Sequence, residues 1–478
     1  MSDILSIGAS GISAYRKSLE VTGNNIANAN TDGYVHRDAT LSTAGVGPSS
    51  PLTVTTQSGT GVNVDVIKRA SDSFLRDAVW SANAASAQAQ ALSTSMGQLE
   101  RRVLMPTSTV STAMQKFFSN LQDIANSPSS MSARTAALTG AQQIVDQFHT
   151  QISSINQEAS FAETNINTVL ISVNGFTSQI AKLNASISAS TGSAQQPNDL
   201  LDQRDKLVNE LSQLVSIKVA EEPSGKITVY LGESAGGAKL VDGVKANKIG
   251  AQITGQRLDF VFDPGGTNAV TNQVTSGTLA GLQLYRSQCL YTRDSFNRLA
   301  LAFANNMNNQ HMQGVDLAGN AGLALFSTDT LSGVPSKSNQ GDAKLTIDPS
   351  SMGTASSDTY VASYDGPTQK WTITAQTTRK TVSGSGDLTI DGLKFHFEGV
   401  AKSGDNFTVS PLQDAAAGMR LMITDPAQWA MSMPLYADTN ASNAGTASIA
   451  INKSKQPVAA PSLPQLQTVF SQSQTAAV

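Results

Sequence analysis

Few residues in this chain could do chemistry, and their spacing decides what they could do. Gly232-Glu233-Ser234-Ala235-Gly236 matches Gly-x-Ser-x-Gly, the elbow that exposes a nucleophilic serine between a strand and a helix. Asp242 and then His311 or His396 follow in the order a hydrolase triad would need. A strand is expected over Ile227–Leu231, but Gly237-Ala238-Lys239-Leu240-Val241-Asp242-Gly243 reads as a hairpin's second strand, not as a helix. No alternating β/α pattern surrounds the motif. The stretch is read as a Gly-rich hairpin turn, and a serine hydrolase is kept only as the remote alternative.

The other candidates carry less. His36, His149, His311 and His396 fall in different predicted elements, with no His-x-His or His-x-x-x-His pair, so no metal site is expected. Asp316-Leu317-Ala318-Gly319-Asn320 offers too few oxygen ligands for a calcium loop. Cys289, the single cysteine, lies on a predicted helical seam and is expected to be a small buried side chain. One cysteine excludes an internal disulfide framework and a multi-cysteine metal site. No catalytic residue, metal or cofactor is expected, and the chain is not read as an enzyme.

Composition bounds the rest. A length of 478 residues suggests about three domains. Charged residues make up 14%, against about 25% in typical soluble domains. A net charge of −4 gives no basic footprint for nucleic acid or an anionic membrane. No apolar run approaches the length of a membrane span. The start, Met-Ser-Asp-Ile-Leu-Ser, lacks the basic and apolar regions of a cleaved secretory signal. Taken alone, this composition would point to the cytosol.

The elements must therefore carry the function. Leu5, Gly8, Ile12, Tyr15, Leu19, Thr22 and Ile26 step 3 and 4 in alternation, the seam of a helix that packs lengthwise on another. Gly23-Asn24-Asn25-Ile26-Ala27-Asn28-Ala29-Asn30-Thr31-Asp32-Gly33-Tyr34 follows. Its asparagines compete with the backbone for hydrogen bonds and favour a turn, and Gly33 can take a positive φ. A helix is presented and then stopped by an ordered polar turn.

That combination resembles the N-terminal signature of the flagellar axial proteins, which comprise rod, hook and hook-associated proteins. Asn24, Asn25, Ile26, Ala27, Asn28, Thr31, Gly33 and Tyr34 match their Asn-Asn-Ile-Ala-Asn-x-x-Thr-x-Gly-Tyr pattern at every defined position; Asp32 stands where the family commonly has Pro. The resemblance implies that these residues are an assembly motif and that the protein is exported, uncleaved, through the flagellar export apparatus.

Residues 35–70 carry alternation at Leu52–Thr55 and Val62–Val66, read as one or two strands leading to the main body. Leu92, Met96, Leu99 and Val103 mark one helix, and Val110, Met114, Phe117, Leu121 and Ile124 the next. From Leu138 to Ile187 a 3-4 alternation runs unbroken for 50 residues, roughly 75 Å of helix at about 1.5 Å per residue. One apolar face on so long a helix requires other long helices beside it, which predicts an elongated bundle.

Asn198-Asp199-Leu200-Leu201-Asp202-Gln203-Arg204-Asp205 opens a further helix, with Asn198 expected as N-cap and Arg204 snorkelling or paired. This block, the Val229–Gly232 strand after it, and Asn308-Asn309-Gln310-His311-Met312-Gln313-Gly314-Val315-Asp316-Leu317-Ala318-Gly319 are similar to the hook-associated protein 1 family. The alternative within the axial proteins, a hook or rod protein, lacks them. Residues 216–275 read as a small β-insertion, and strands recur from about residue 342 in a sandwich-like or barrel-like pattern.

The reading is an α+β, multidomain, elongated chain: a long helical-bundle rod with an N-terminal coiled-coil helix and a mainly-β outer domain. Its segments are 1–45 (terminal coiled-coil segment), 46–335 (helical rod with the β-insertion), 336–440 (β-rich outer domain) and 441–478 (Pro/Ser/Gln-rich tail). The family's C-terminal closing helix is not seen in that tail, so residues 1–40 are expected to need a neighbouring subunit for order. The resemblance further implies a structural adaptor at the extracellular hook–filament junction. Its expected partners are copies of itself in a ring, the hook protein, a second junction protein, the flagellin filament and an export chaperone.

Overall fold

The computed structural model describes residues 4–44, 61–103, 109–190, 197–254, 256–263, 266, 268–327, 331–348, 358–432, 435–438 and 450–453. Helices among them are α1 (Ile4–Ala27), α2 (Ser73–Val103), α3 (Val110–Asn126), α4 (Met131–Ser190), α5 (Asn198–Leu214) and α6 (Gly277–His311). The chain is α+β and divides into two compact units, residues 1–98 with 159–288 and residues 99–158 with 289–478. The alternation expected at Leu52–Thr55 lies outside the described residues, as does the 441–478 tail apart from 450–453.

In the first unit, β1 (Arg37–Thr43) and β2 (Val62–Arg69) pair antiparallel beside α1. The β-insertion is a four-stranded meander, β3 (Ile217–Glu221), β4 (Ile227–Leu231), β5 (Lys239–Asp242) and β6 (Lys245–Ala246), followed by a two-stranded ribbon of β7 (Ile249–Thr254) and β8 (Arg257–Phe262). Its core joins Trp80 of α2, Ile166, Val173 and Ile180 of α4, Val208 and Leu211 of α5, Val229 and Leu240 of the meander, Phe260 of the ribbon and Leu279 of α6. Every position of the Leu138–Ile187 seam is buried or half-buried, which is why that periodicity is legible from the sequence.

The second unit has a helical cluster and a β cluster. Phe117 of α3, Phe148 of α4 and Phe303 of α6 enclose Phe326, Met419, Ile423 and Trp429, so the segment 419–429 helps to close the helical core. The strands are β9 (Val334–Pro335), β10 (Lys344–Ile347), β11 (Tyr360–Asp365), β12 (Lys370–Ala375), β13 (Thr381–Gly384), β14 (Leu388–Ile390), β15 (Leu393–Glu398) and β16 (Asn406–Val409). They form sheets ordered β10-β15-β14 and β13-β12-β11-β16-β9. One core takes side chains from both sheets, with Trp371 stacked on Phe397 at 4.3 Å between ring centroids. A last pair, β17 (Leu435–Asp438) and β18 (Ala450–Lys453), is antiparallel.

In this low-charge chain asparagine side chains repeatedly pair with strand backbone. Asn174 accepts from the N–H of Ile249 and donates to its carbonyl, both at 2.9 Å. Asn184, fully buried, does the same to Ile227 at 3.2 and 2.8 Å. Asn339 does it to Asn406, again at 2.9 Å for each bond. A side-chain amide carries one donor end and one acceptor end like a peptide group, so it extends a strand's pairing from outside the sheet.

His311 is the last residue of α6. The helix continues because Asn308 accepts from the N–H groups of Leu325 and Phe326 and donates to the carbonyl of Phe326, tying the final turn to the chain beyond it. The buried ring of His311 accepts at Nε2 from the N–H of Ala430 (2.8 Å), which leaves Nδ1–H to donate to the carbonyl of Leu323 (2.6 Å). That arrangement requires neutral imidazole, and burial lowers the pKa accordingly. The unfolded imidazole titrates near about pH 6.5, so the stability this site contributes is complete above that pH and is lost as pH falls below it. His396 runs the other way: Asp387 and Glu398 hold its exposed ring above the ordinary value, so its contribution fades as pH rises. We expect the melting temperature to fall between pH 7.5 and 5.5, and to fall less in a His311→Gln variant, by circular dichroism. Equal slopes would assign the pH dependence to other groups.

Candidate assembly site

Helix α1 carries two adjacent stripes. The inner one, Ile7, Gly11, Ala14, Ser18, Val21, Asn25 and Asn28, is half-buried or buried. Its small residues lie on the β1–β2 hairpin, where Ser10 Oγ accepts from the N–H of Val62 at 3.1 Å. The outer one is the predicted seam. Leu5, Ile12, Tyr15, Leu19 and Ile26 are 77%, 74%, 65%, 72% and 73% exposed, and Gly8 and Thr22 share that face. The sequence reading found the apolar stripe and missed the inner one, whose small and polar members give no hydrophobic signal. Their own 4-3 spacing was the available clue.

The Asn-rich turn is built around Asn25. Its Oδ1 accepts from Tyr34 O–H (2.8 Å) and from the N–H of Arg37 (3.0 Å), and its Nδ2 donates to the carbonyl of Arg37 (2.8 Å). This is the amide bridge described above, now joining α1 to the first residue of β1. Asn28 donates to the carbonyl of Asn24 and accepts from Thr31 O–H, while the N–H of Tyr34 returns to the carbonyl of Thr31. Gly33 sits at φ +84°, and a Cβ there would meet Lys206 Cβ at 3.3 Å. Conformation and proximity both favour glycine at this position. Ala27 ends the helix, and Ile26 points outward with the seam.

The second signature meets the first. Asp199, Asp202 and Asp205 recur every third residue along α5, so they share one face. Arg37 and Arg69 are directly opposite in the hairpin, where like charges would repel. Asp202 lies between them, 2.9 Å from Arg37 Nη2 and 2.7 Å from Arg69 Nε, the latter an ion pair out of line for a hydrogen bond. Arg37 also reaches Asp199, and Arg69 reaches Asp205 at 2.6 Å. Arg76 of α2 completes the ladder between Asp205 and Glu221. Burial draws the Arg37 pKa down, but its hydrogen bonds and charge pairing with Asp199 and Asp202 outweigh this and raise it. The Arg37 guanidinium also lies over the Tyr34 ring, 5.0 Å from its centroid. Lys206 pairs with Asp32 at 2.8 Å, so the residue that replaces the family's usual Pro has an ionic partner.

Two expectations about this block change. Asn198 is not the N-cap: Pro197 holds that position, and Asn198 is the first helical residue. Its amide donates instead to the carbonyl of Ile67 in β2 (3.0 Å), a bond that a capping geometry would forgo. Arg204 neither snorkels nor meets a carboxylate; it is buried against the carbonyl of Gly225 (2.7 Å) and Asn184 Oδ1 (3.3 Å), and burial lowers its pKa.

With this geometry in view, comparisons place the chain. Residues 5–34 match the flagella basal body rod protein family, and residues 96–326 match the flagellar hook-associated protein FlgK helical domain. Flagellar hook-associated protein 1 of Escherichia coli (strain K12) is 30% identical over 445 residues, covering 90% of this chain and 80% of that one. The chain belongs to the flagellar hook-associated protein 1 family. The Bacillus subtilis (strain 168) member is 27% identical over 70% of this chain and 72% of its own length. The flagellar hook junction protein FlgK from Burkholderia pseudomallei superposes with a TM-score of 0.61 at 29% identity, covering 77% of this chain and 69% of that one. As a hook-associated family member, this is a structural flagellar protein of mixed α+β fold.

The residues first considered for chemistry have other partners. Ser234 lies in the turn between β4 and β5, where its Oγ accepts from the N–H of Gly236 (3.2 Å), and Asp242 pairs with Lys239. Both ring nitrogens of His311 face backbone groups, and Cys289 is buried on α6. His36 lies 3.4 Å from the amide of Asn25, and His149 meets the carbonyl of Met419. Asp316 accepts from the N–H groups of Ala318 and Asn320. Among the described residues no group of three or more His, Cys, Asp or Glu side chains could hold a metal.

Replacing Asn25 by Ala strips both hydrogen-bonding ends from the backbone of Arg37. At about 1 kcal/mol per bond, amide exchange at Arg37 should quicken roughly tenfold or more in Asn25→Ala, with α2 and α5 unchanged. Unchanged exchange at Arg37 would mean the turn holds without this amide.

Proposed function

We propose that this chain is an adaptor at the junction between hook and filament, assembling through the outer stripe of α1. One observation carries the reading: five large apolar side chains lie in line on one helix face and stay exposed, while the adjacent face is occupied by the chain's own hairpin. An apolar stripe at heptad spacing is stable in water only against another helix. The Asn24–Tyr34 turn fixes where that helix ends and so sets its register against a neighbour. Copies of the chain would form a ring, in contact with the hook protein on one side and a second junction protein, then the flagellin filament, on the other. A chaperone would cover the stripe before passage, uncleaved, through the flagellar export apparatus. The name and title of its relatives, hook-associated protein 1 and hook junction protein, favour this over a hook or rod protein.

The role is geometric, and we read no catalysis into it. The hairpin turn around Ser234 is followed by a strand where a nucleophile elbow requires a helix, which argues against the hydrolase alternative.

Leu19→Asp places a charge mid-stripe without touching the inner face. We expect the soluble variant to keep its far-ultraviolet circular dichroism and melting temperature while failing to enter sheared hook–filament junctions, with motility lost in soft agar. Normal incorporation would refute the role of this stripe.

A further inference from the structure

Residues 4–44 and 61–70 form an arm whose parts hold one another. Helix α1 rests on the hairpin through Ser10, Ala14, Val21 and Asn25, and the turn between them is closed by Asn25 and Tyr34. The rest of the first unit has its own apolar core, built from α2, α4, α5, α6 and the β-insertion. Among the described residues, no side chain of the arm belongs to that core. What joins arm to body is polar: Arg37 and Arg69 to the α5 aspartates, Asp32 to Lys206, and the backbone of Ile67 to Asn198.

We infer that the arm is a separate piece latched to the body by this ladder, and that Asp202 and Asp205 are positioning residues that set the direction in which the assembly stripe points. Burying a charge pair recovers in attraction roughly what it loses in hydration, so such a contact supplies orientation more than strength. Arg69 and Asp202 have side chains only 6% and 11% exposed. Removing both Asp202 and Asp205 carboxylates therefore leaves the Arg69 guanidinium dry and without either of its partners, and swinging the arm away is the movement that rehydrates it. An apolar interface would behave differently, because opening it would expose surface that water disfavours. The ladder thus makes the arm's angle adjustable while each piece remains folded. Such adjustability suits a subunit fitted between two different lattices, and to that extent the inference deepens the assembly reading. Its test is made on the soluble chain and does not depend on assembly.

Spin labels at Thr40→Cys on β1 and Gln213→Cys on α5 report the arm-to-body distance by pulsed dipolar spectroscopy, with the native Cys289 buried. The full chain should give one narrow distribution. Asp202→Asn with Asp205→Asn should broaden it at least twofold, with the melting of the body and the helical circular dichroism retained. Asp202→Glu, which keeps the charge, should restore the narrow distribution. Should the aspartate variants fail to fold, Arg37→Gln with Arg69→Gln makes the same break from the arm side, away from the body's core. A narrow distribution persisting in either folded double variant would overturn the latch. So would failure of Asp202→Glu to restore it, since that would point to packing and not charge. Loss of assembly in Leu19→Asp with an intact latch, or the reverse, separates this inference from the assembly role.

Discussion

The carboxylate of Asp202 sits between two guanidinium groups that the hairpin register forces to face each other, and much of the first unit depends on that placement. Two arginines directly across an antiparallel pair would push β1 and β2 apart. A helix that presents aspartates every third residue converts the repulsion into a bridge. The hairpin in turn is the surface on which the inner stripe of α1 lies. Hairpin, α5 and the N-terminal helix are thereby ordered as one sequence of dependencies that begins with a charge.

Elsewhere neutral amides recur in a similar bridging role. With 14% of its residues charged, the chain attaches helices to strand backbones through asparagine amides, at Asn25, Asn174, Asn184 and Asn339. The device needs no counter-ion and less desolvation than an ion pair. It also demands exact register, because donor and acceptor must both meet the same residue. Where the chain buries the charge of Arg204, its Nη1 donates to a carbonyl and to one of those same asparagines. Low charge and abundant asparagine are in this sense one property of the chain.

The sequence by itself determined the elements whose signal is local and periodic. The 3-4 alternation marks α4 because each position of its seam is buried or half-buried on one face of a helix, and the spacing survives without knowing the neighbours. The buried place of Cys289 on α6 was legible for the same reason, and the hairpin around Ser234 from its glycines and flanking strand pattern. The Asn24–Tyr34 string was legible as a run of residue types, and its family resemblance agrees with the relatives that match the chain.

Tertiary structure alone decided the partners. Asp199, Asp202 and Asp205 read in sequence as acidic residues near a helix start, and nothing local says that Arg37 and Arg69, more than 130 residues earlier, will meet them. Asn198 read as a cap because Asn before a helical run usually is one; only the arrival of β2 gave its Nδ2 the carbonyl of Ile67 to donate to. The inner stripe of α1 gave no hydrophobic signal, because Gly11, Ala14 and Ser18 become a packing face only when a hairpin is laid on them. Periodicity records which way a side chain points, but hydrogen bonds and ion pairs act over about 3 Å. What comes within that range is decided when distant segments fold together.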